Sequence, residues 1–109
     1  MDVKSIGDAK KFDPLKVVKT PLFQSERIAC DLVCLAPGQE QKAHTHDGAD
    51  KIYIVVEGCG VFTIGGDVRE IGERNLVVAP TGVSHGVKND TQGNLALLVF
   101  LSPPGKRKT

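Results

Sequence analysis

The sequence lacks the features that mark several large classes of protein. Its 109 residues carry 14 basic and 13 acidic side chains, so the formal net charge is only +1 with histidine neutral. This balance argues against a nucleic-acid or anionic-membrane surface, and no apolar run approaches the roughly 20 residues that span a bilayer. The first 12 residues are polar, with no apolar segment of the signal-peptide type. We therefore expect a cytoplasmic protein whose partner is neither nucleic acid nor membrane.

Cysteine is scarce, and its spacing is not that of a metal-binding motif. Cys30, Cys34 and Cys59 are an odd number and form no C-x-x-C pair. Two of them fall in the apolar stretch 28–35, where free cysteines usually act as small buried hydrophobes. We expect reduced thiols with a packing role.

The sequence is instead rich in turn residues that separate short runs of strand-forming residues. Twelve glycines and six prolines divide the chain, and no stretch has a sustained helical period with caps. The clearest hairpin turn is Gly65-Gly66, because glycine supplies the positive φ that two-residue turns need. The predicted strands are residues 16–19, 27–35, 42–46, 51–57, 60–64, 67–71, 75–79, 84–89 and 95–101.

Many short strands at close spacing predict an all-β sandwich or barrel in a single domain. We place an N-terminal arm, which can contribute an edge strand, at 1–20, the barrel at 21–101 and a flexible C-terminal tail at 102–109. Residues 52–56 and 95–101 are apolar at nearly every position, as in strands buried on both faces. The second face then packs on another sheet or on a second subunit, and we expect a homodimer.

The chain has only three histidines, and two of them form His44-Thr45-His46. On a strand, residues i and i+2 point to the same face, so both imidazoles are available to one ion. The third, His85, follows the Pro80-Thr81-Gly82 turn at a predicted strand start. All three are candidate metal ligands.

Two spaced motifs resemble those of the cupin superfamily, and together with the surrounding strands they cover roughly residues 27–101. The first comprises Gly38, His44, His46, Lys51 and Gly58, and the second comprises Pro80, Gly82, His85 and Asn89. The resemblance implies a double-stranded β-helix, or jelly-roll, barrel of two packed antiparallel sheets, often dimeric. It also implies that His44, His46 and His85 bind a divalent metal inside the barrel, commonly iron, manganese, nickel or zinc.

The sequence departs from the family pattern at two positions. Arg74 stands where the second motif opens with glycine, which predicts a longer or differently shaped turn there. Lys51 stands where the family has a carboxylate ligand, and the adjacent Asp50 fits a shorter spacing also seen in the family. The spacing from Lys51 to Gly58 keeps the usual register. Strand alternation then places Lys51, Tyr53 and Val55 inside the barrel and residues 52, 54 and 56 outside.

An inward lysine changes the electrostatics of a metal site. Three neutral imidazoles leave a divalent ion with its full charge, and an ammonium about 5 Å away is repelled by roughly 6 kcal/mol at an effective dielectric near 20. Lys51 therefore pairs with a nearby carboxylate, loses its proton or weakens the site. Glu40 has the same strand parity as the two histidines, so it is a candidate replacement carboxylate, as is Asp50.

Two functions fit this pattern. One is a metal-dependent enzyme of the dioxygenase or isomerase type acting on a small anionic molecule, with Lys51 stabilising charge and Tyr53 donating a hydrogen bond. The other is a non-catalytic module that binds a metabolite or sugar, with little or no metal. Tyr53 also fits simple core packing, and Lys51 fits a stem packed at the barrel mouth with its head in water. The sequence leaves the substrate, metal and reaction open.

Overall fold

The fold consists almost entirely of β-strands. The computed structural model describes residues 1–104, so most of the tail predicted at 102–109 lies outside the described residues. No helix among residues 1–104 is long and apolar enough to cross a membrane. The elements are α1 (Ile6–Ala9), β1 (Val18–Gln24), β2 (Ala29–Leu35), β3 (Glu40–His44), β4 (Asp50–Glu57), β5 (Cys59–Ile64), β6 (Asp67–Gly72), β7 (Leu76–Ala79), β8 (His85–Lys88) and β9 (Leu95–Ser102).

The strands form two antiparallel sheets that pack face to face. One sheet has the order β1-β2-β9-β4-β7 and the other has the order β3-β8-β5-β6. Strand β9 pairs with β2 and β4, and β8 pairs with β3 and β5, so the chain crosses repeatedly between the sheets, as in a jelly roll. This confirms the predicted fold class. The interior is filled by one cluster of buried side chains: Val33, Leu35, Tyr53, Val55, Phe62, Ala79, Val87, Leu95, Leu97 and Val99.

Strand β4 alternates between the barrel interior and the outer face, as the sequence predicts. Tyr53 and Val55 are buried in the interior cluster, whereas Ile52 and Ile54 are only partly buried on the other face. The strand lies between β9 and β7, which pair with it on both sides. Its register is therefore fixed, and Lys51 shares the inward parity of Tyr53.

The N-terminal arm covers part of the outer face of the first sheet. Ile6, Ala9 and Phe12 pack against a second buried cluster formed by Leu32, Cys34 and Ala96. Lys10 forms an ion pair with Glu57 at 2.7 Å, which ties the arm to the end of β4. The short helix α1 within this arm was not predicted, because four residues capped by Ser5 are too few to show a helical period.

Two strands differ in position from their predictions. Strand β1 runs from Val18 to Gln24, beyond the predicted 16–19, because an edge strand tolerates Pro21. It crosses the boundary drawn at residue 20, so the division into arm and barrel stays a prediction. Strand β3 begins at Glu40 and ends at His44, two residues earlier than predicted at each end.

The described thiols are free, but Cys30 is only half-buried.

The turn before β7 explains the departure at Arg74. Arg74 has a φ of 67°, in the left-handed region, and it is the one non-glycine residue among residues 1–104 with positive φ. Its backbone N–H donates to the Val55 carbonyl oxygen at 3.0 Å. The position therefore demands the conformation that glycine adopts without a Cβ penalty, and the chain retains the turn with arginine instead.

Replacing Arg74 by glycine is therefore expected to stabilise the protein. A residue with a Cβ atom pays a steric cost in the left-handed conformation, and glycine does not. Because this gain outweighs the extra entropy that glycine gives the unfolded chain, Arg74→Gly should raise the free energy of unfolding by about 0.5–1 kcal/mol. Urea unfolding measures the change. Arg74→Ala removes the same side chain but keeps Cβ, so it is the matched control. An equal gain in both variants would mean that the arginine side chain, and not the backbone, is the source of strain.

Candidate functional site

The three histidines meet at one end of the barrel. His44 lies directly opposite His85 in the pairing of β3 with β8, and their ring centroids are 4.4 Å apart. His46 follows the end of β3, with its ring centroid 4.7 Å from that of His44. One ligand atom from each residue lies within 4.8 Å of the others. The structure thus brings together the three side chains that the sequence singles out.

The route by which His46 reaches the group differs from the one expected. The sequence predicts His44 and His46 on one strand face, but β3 ends at His44 and His46 lies in the following loop. The turn at residues 80–82 holds this loop beside β8. The Gly82 N–H donates to the His46 carbonyl oxygen at 3.0 Å, and the Gly48 N–H donates to Thr81 Oγ1 at 2.7 Å.

A β-bulge sets the orientation of the residues before His44. Gln41 pairs with Val87 and His44 pairs with His85, so β3 has one more residue than β8 between these pairs. The two backbones approach so closely at this point that a Cβ atom on residue 86 would lie only 2.8 Å from the Ala43 nitrogen. Glycine at position 86 therefore permits the bulge.

The bulge overturns the prediction for Glu40. Regular alternation gives Glu40 the parity of His44, but the extra residue shifts the register, and Gln41 faces inward instead. Glu40 is exposed, opposite Lys88 on the outer surface. Asp50 does not replace the missing carboxylate either. Its carboxylate is exposed and accepts a hydrogen bond from the Thr81 N–H at 2.9 Å, so it supports the turn.

Backbone carbonyls define the tautomers of two histidines. Nδ1 of His44 lies 2.9 Å from the Lys42 carbonyl oxygen, and Nδ1 of His85 lies 3.1 Å from the Val83 carbonyl oxygen. A carbonyl oxygen only accepts, so each Nδ1 carries the proton and each Nε2 presents a lone pair. Nε2 of His85 is buried with no hydrogen-bond partner among residues 1–104. An imidazole with its proton on Nδ1 and a free lone pair on Nε2 is in the form that binds metal. The hydrogen bond at Nδ1 fixes the ring orientation, so both rings fit a divalent transition metal.

Burial favours the neutral form of the ring at two of these positions. It lowers the pKa of His46, and the charges of His44 and Lys51 lower it further. Burial also lowers the pKa of His85, against the raising effect of its hydrogen bond to Val83. Both rings are therefore neutral at pH 7, which is the form that binds metal.

A cavity of about 360 Å³ adjoins the histidine group. Lys51 is half-buried in its wall, with Nζ 5.1 Å from the centroid of the Tyr53 ring. Burial and the nearby charge of Lys19 lower the pKa of Lys51 to about 8, although Asp31 acts in the opposite direction. The lining residues are Lys19, Asp31, Val33, Gln41, His46, Asp47, Ala49, Lys51, Val99, Leu101 and Pro104.

Tyr53 lies deeper than the cavity wall. Its side chain is fully buried, with its ring 5.2 Å from that of Phe62 and 6.3 Å from that of His85. Its hydroxyl has no hydrogen-bond partner among residues 1–104. Burial raises the pKa of Tyr53, so the hydroxyl keeps its proton and can act only as a hydrogen-bond donor or acceptor.

Three polar or charged cavity residues, Lys19, Asp31 and Gln41, were missed by the sequence reasoning. Asp31 is buried on β2 with its side chain only 4% exposed, and it forms an ion pair with Lys19 at 3.6 Å. The sequence feature that could have revealed Asp31 is its position as the single charged residue in the apolar stretch 28–35. Gln41 is the third, and its inward direction depends on the bulge, which strict alternation does not reveal.

A two-sheet antiparallel barrel with three convergent histidines at one end defines a double-stranded β-helix protein with a candidate metal centre. The family model described as Cupin domain matches residues 31–101, and the chain therefore belongs to the cupin domain family. No curated protein matches the chain.

Solved structures agree with this assignment. A structure from Thermus thermophilus is 39% identical over 94% of this chain and 98% of its own, with a TM-score of 0.91. An RmlC-like cupin from Desulfovibrio desulfuricans is 28% identical over 94% of this chain and 97% of its own, with a TM-score of 0.84. A Thermotoga maritima protein described as a predicted oxalate decarboxylase is 24% identical over 79% of each chain, with a TM-score of 0.76, and supports the fold alone.

The lowered pKa of Lys51 predicts a pH-dependent stability. Its pKa is about 8 in the folded protein and 10.5 ordinarily, so the unfolded chain binds more protons between these values. The stability of the metal-free wild type, measured relative to Lys51→Met, should therefore rise from pH 8 towards pH 10 and stay constant below pH 7. Urea unfolding across this range measures it, with exposed Lys88→Met as the control. A difference that does not change with pH would show that Lys51 is solvated as in the unfolded chain.

Proposed function

We propose that this protein binds one divalent transition metal ion through His44, His46 and His85 and holds a small anionic organic molecule in the adjoining cavity. The observation that carries the proposal is the buried Nε2 of His85, which has no hydrogen-bond partner among residues 1–104. An unsatisfied buried polar atom costs about 1–3 kcal/mol. Coordination to an ion shared with the other two histidines removes this cost.

The charges around the cavity support an anionic ligand. Lys19 and Lys51 line it together with His46, and the buried carboxylate of Asp31 only partly balances them. Three neutral imidazoles leave the charge of an ion uncompensated, so an anion completes the site. A volume of about 360 Å³ lies at the lower end of the range for small-molecule sites and favours a compact carboxylate or enolate.

The protein side chains have distinct roles in this proposal. A bound ion supplies Lewis acidity towards a carboxylate or carbonyl oxygen. Lys51 donates hydrogen bonds to the anion from the cavity wall, 5.1 Å from the Tyr53 ring. Tyr53 keeps its proton because burial raises its pKa, so its hydroxyl donates to a ligand atom that reaches the interior. The aliphatic side chains of Val33, Val99 and Leu101 limit the access of water.

A second candidate function is ligand binding without turnover, as in a sensory or metabolite-binding cupin. The observation in its favour is Lys51 at the position where the family has a carboxylate ligand, which weakens the hold on an ion. The two functions differ in product. A dioxygenase or isomerase converts its ligand when metal is present, whereas a binding module returns the ligand unchanged.

The metal proposal predicts near-stoichiometric binding of Co²⁺ to the metal-stripped protein. Isothermal titration should give about one ion per chain, and a visible Co²⁺ spectrum should shift on addition of acetate as a simple carboxylate probe. His85→Ala should lower metal affinity by about 100-fold or more, since it removes a direct ligand. In the Co²⁺-loaded protein, Lys51→Met should weaken acetate binding by about tenfold.

The matched control is Lys88→Ala, an exposed residue on the same strand as His85. It should leave both affinities unchanged. Metal-stripped protein that takes up no Co²⁺, or His85→Ala with wild-type affinity, would contradict a three-histidine centre. Unchanged acetate binding in Lys51→Met would restrict the lysine to a packing role.

We also propose a homodimer formed through the outer face of β4, β7 and β9. Leu76 and Val78 are 55% and 49% exposed on β7, next to Ile54 and Ile52 of β4. The N-terminal arm packs over Leu32, Cys34 and Ala96, so residues 1–104 leave this other part of the same face uncovered. A contiguous apolar surface of this kind is typical of subunit contacts.

The dimer proposal predicts that a charge in this face separates the subunits. Leu76→Lys should shift the mass measured by light scattering after gel filtration from that of two chains to that of one, because the new ammonium loses its hydration in the contact. Val68→Lys is the control, since Val68 is 61% exposed on β6 of the other sheet. A wild type that elutes as a single chain would disprove the proposal.

A further inference from the structure

Gln41 has a buried oxygen atom that nothing described in the chain satisfies. Its Oε1 is buried with no hydrogen-bond partner among residues 1–104, and the residue lines the 360 Å³ cavity together with His46 and Lys51. A buried amide oxygen is normally paired, and leaving it unpaired costs about as much as a lost hydrogen bond. Its position beside the histidine group suggests that a cation fills this role.

The strand pairing directs Gln41 towards the histidines. Gln41 lies opposite Val87, which belongs to the interior cluster, so both side chains point into the barrel. His85 is two residues before Val87 on the same face of β8 and is diagonal to Gln41 across the ladder. Diagonal neighbours have backbones about 7–8 Å apart, which is within reach of a long side chain.

We propose that Gln41 Oε1 is a fourth protein ligand of the metal centre, beside the Nε2 atoms of the three histidines. This inference rests on the proposed metal function. The family's carboxylate ligand is missing because position 51 is lysine. The bulge in β3 turns the Gln41 amide oxygen inward, so this oxygen takes the place of the missing ligand from a different strand. The ligand set is then three neutral nitrogens and one neutral oxygen.

A neutral oxygen ligand has a consequence for metal preference. Amide and carboxylate oxygens suit harder ions such as Mn²⁺, whereas imidazole alone suits Zn²⁺ well. Loss of the Gln41 oxygen should therefore weaken Mn²⁺ binding more than Zn²⁺ binding. The ion also keeps its full positive charge, which strengthens its attraction for an anionic ligand in the cavity.

The test is titration of metal-stripped full-length variants with Mn²⁺, Zn²⁺ and Co²⁺. Gln41→Leu should lower Mn²⁺ affinity by about tenfold and Zn²⁺ affinity by less, and it should change the visible Co²⁺ spectrum. Gln41→Glu should raise the affinity for all three ions by about tenfold or more, because it adds a negative charge at the ligand position. Gln41→Leu should also unfold at a higher urea concentration than wild type when metal-free, since it removes the unsatisfied oxygen.

The neighbouring residue provides the matched control. Glu40 precedes Gln41 but lies on the outer surface, so Glu40→Gln should leave the metal affinities and the Co²⁺ spectrum unchanged. The same Gln41 variants in a Lys51→Met background separate a direct ligand from an indirect one. If Oε1 merely accepts a hydrogen bond from Lys51, the effect of Gln41→Leu on metal affinity should vanish in that background.

The outcomes distinguish this inference from the proposed function. A wild type that binds no metal contradicts both. A wild type that binds metal and loses it in His85→Ala, with Gln41→Leu unchanged in affinity and spectrum, contradicts the role of Gln41 alone.

Discussion

The pairing of β3 with β8 is the constraint on which the site depends. One extra residue in β3 between Gln41 and His44 creates the bulge, and Gly86 allows the backbones to approach closely enough for it. Without that close approach, His44 would not lie opposite His85. A backbone irregularity, rather than any single side chain, therefore determines which chemical groups face the interior.

Several groups around the cavity partly offset the charge of the inward Lys51. Burial and Lys19 lower the pKa of Lys51, the Tyr53 ring lies below its ammonium, and the buried carboxylate of Asp31 shares the same wall. None of these is a full counter-charge at the position of the missing ligand. The chain thus keeps a polar but incompletely balanced interior, which is costly unless a bound group completes it.

Sequence reasoning succeeded where a residue's role depends on local periodicity. The alternation of Tyr53 and Val55 with Ile52 and Ile54 follows from strand geometry. The grouping of the three histidines was predicted from motif spacing, although His46 reaches the group from a loop and not from the strand. It failed where pairing with a distant strand decides the outcome. Glu40 was a candidate inward carboxylate on the assumption of a regular strand and is exposed, because a bulge depends on two paired strands and cannot be read from the residue spacing of one. Asp31 was overlooked because a single acidic residue in an apolar strand forms no repeating sequence pattern.

The contact between Lys10 and Glu57 has a consequence for where a change in the arm acts on the barrel. Glu57 is at one end of β4 and Lys51 is near the other, six residue steps away along the strand, or about 20 Å. Lys10 therefore attaches the arm at the end of β4 away from the cavity, whereas Lys19, near the end of the arm, lines the cavity and pairs with Asp31. A change at Lys10 therefore acts on the barrel end away from the cavity, whereas a change at Lys19 acts directly on the charge that Lys51 experiences, so one short arm contacts the barrel at two sites with different consequences.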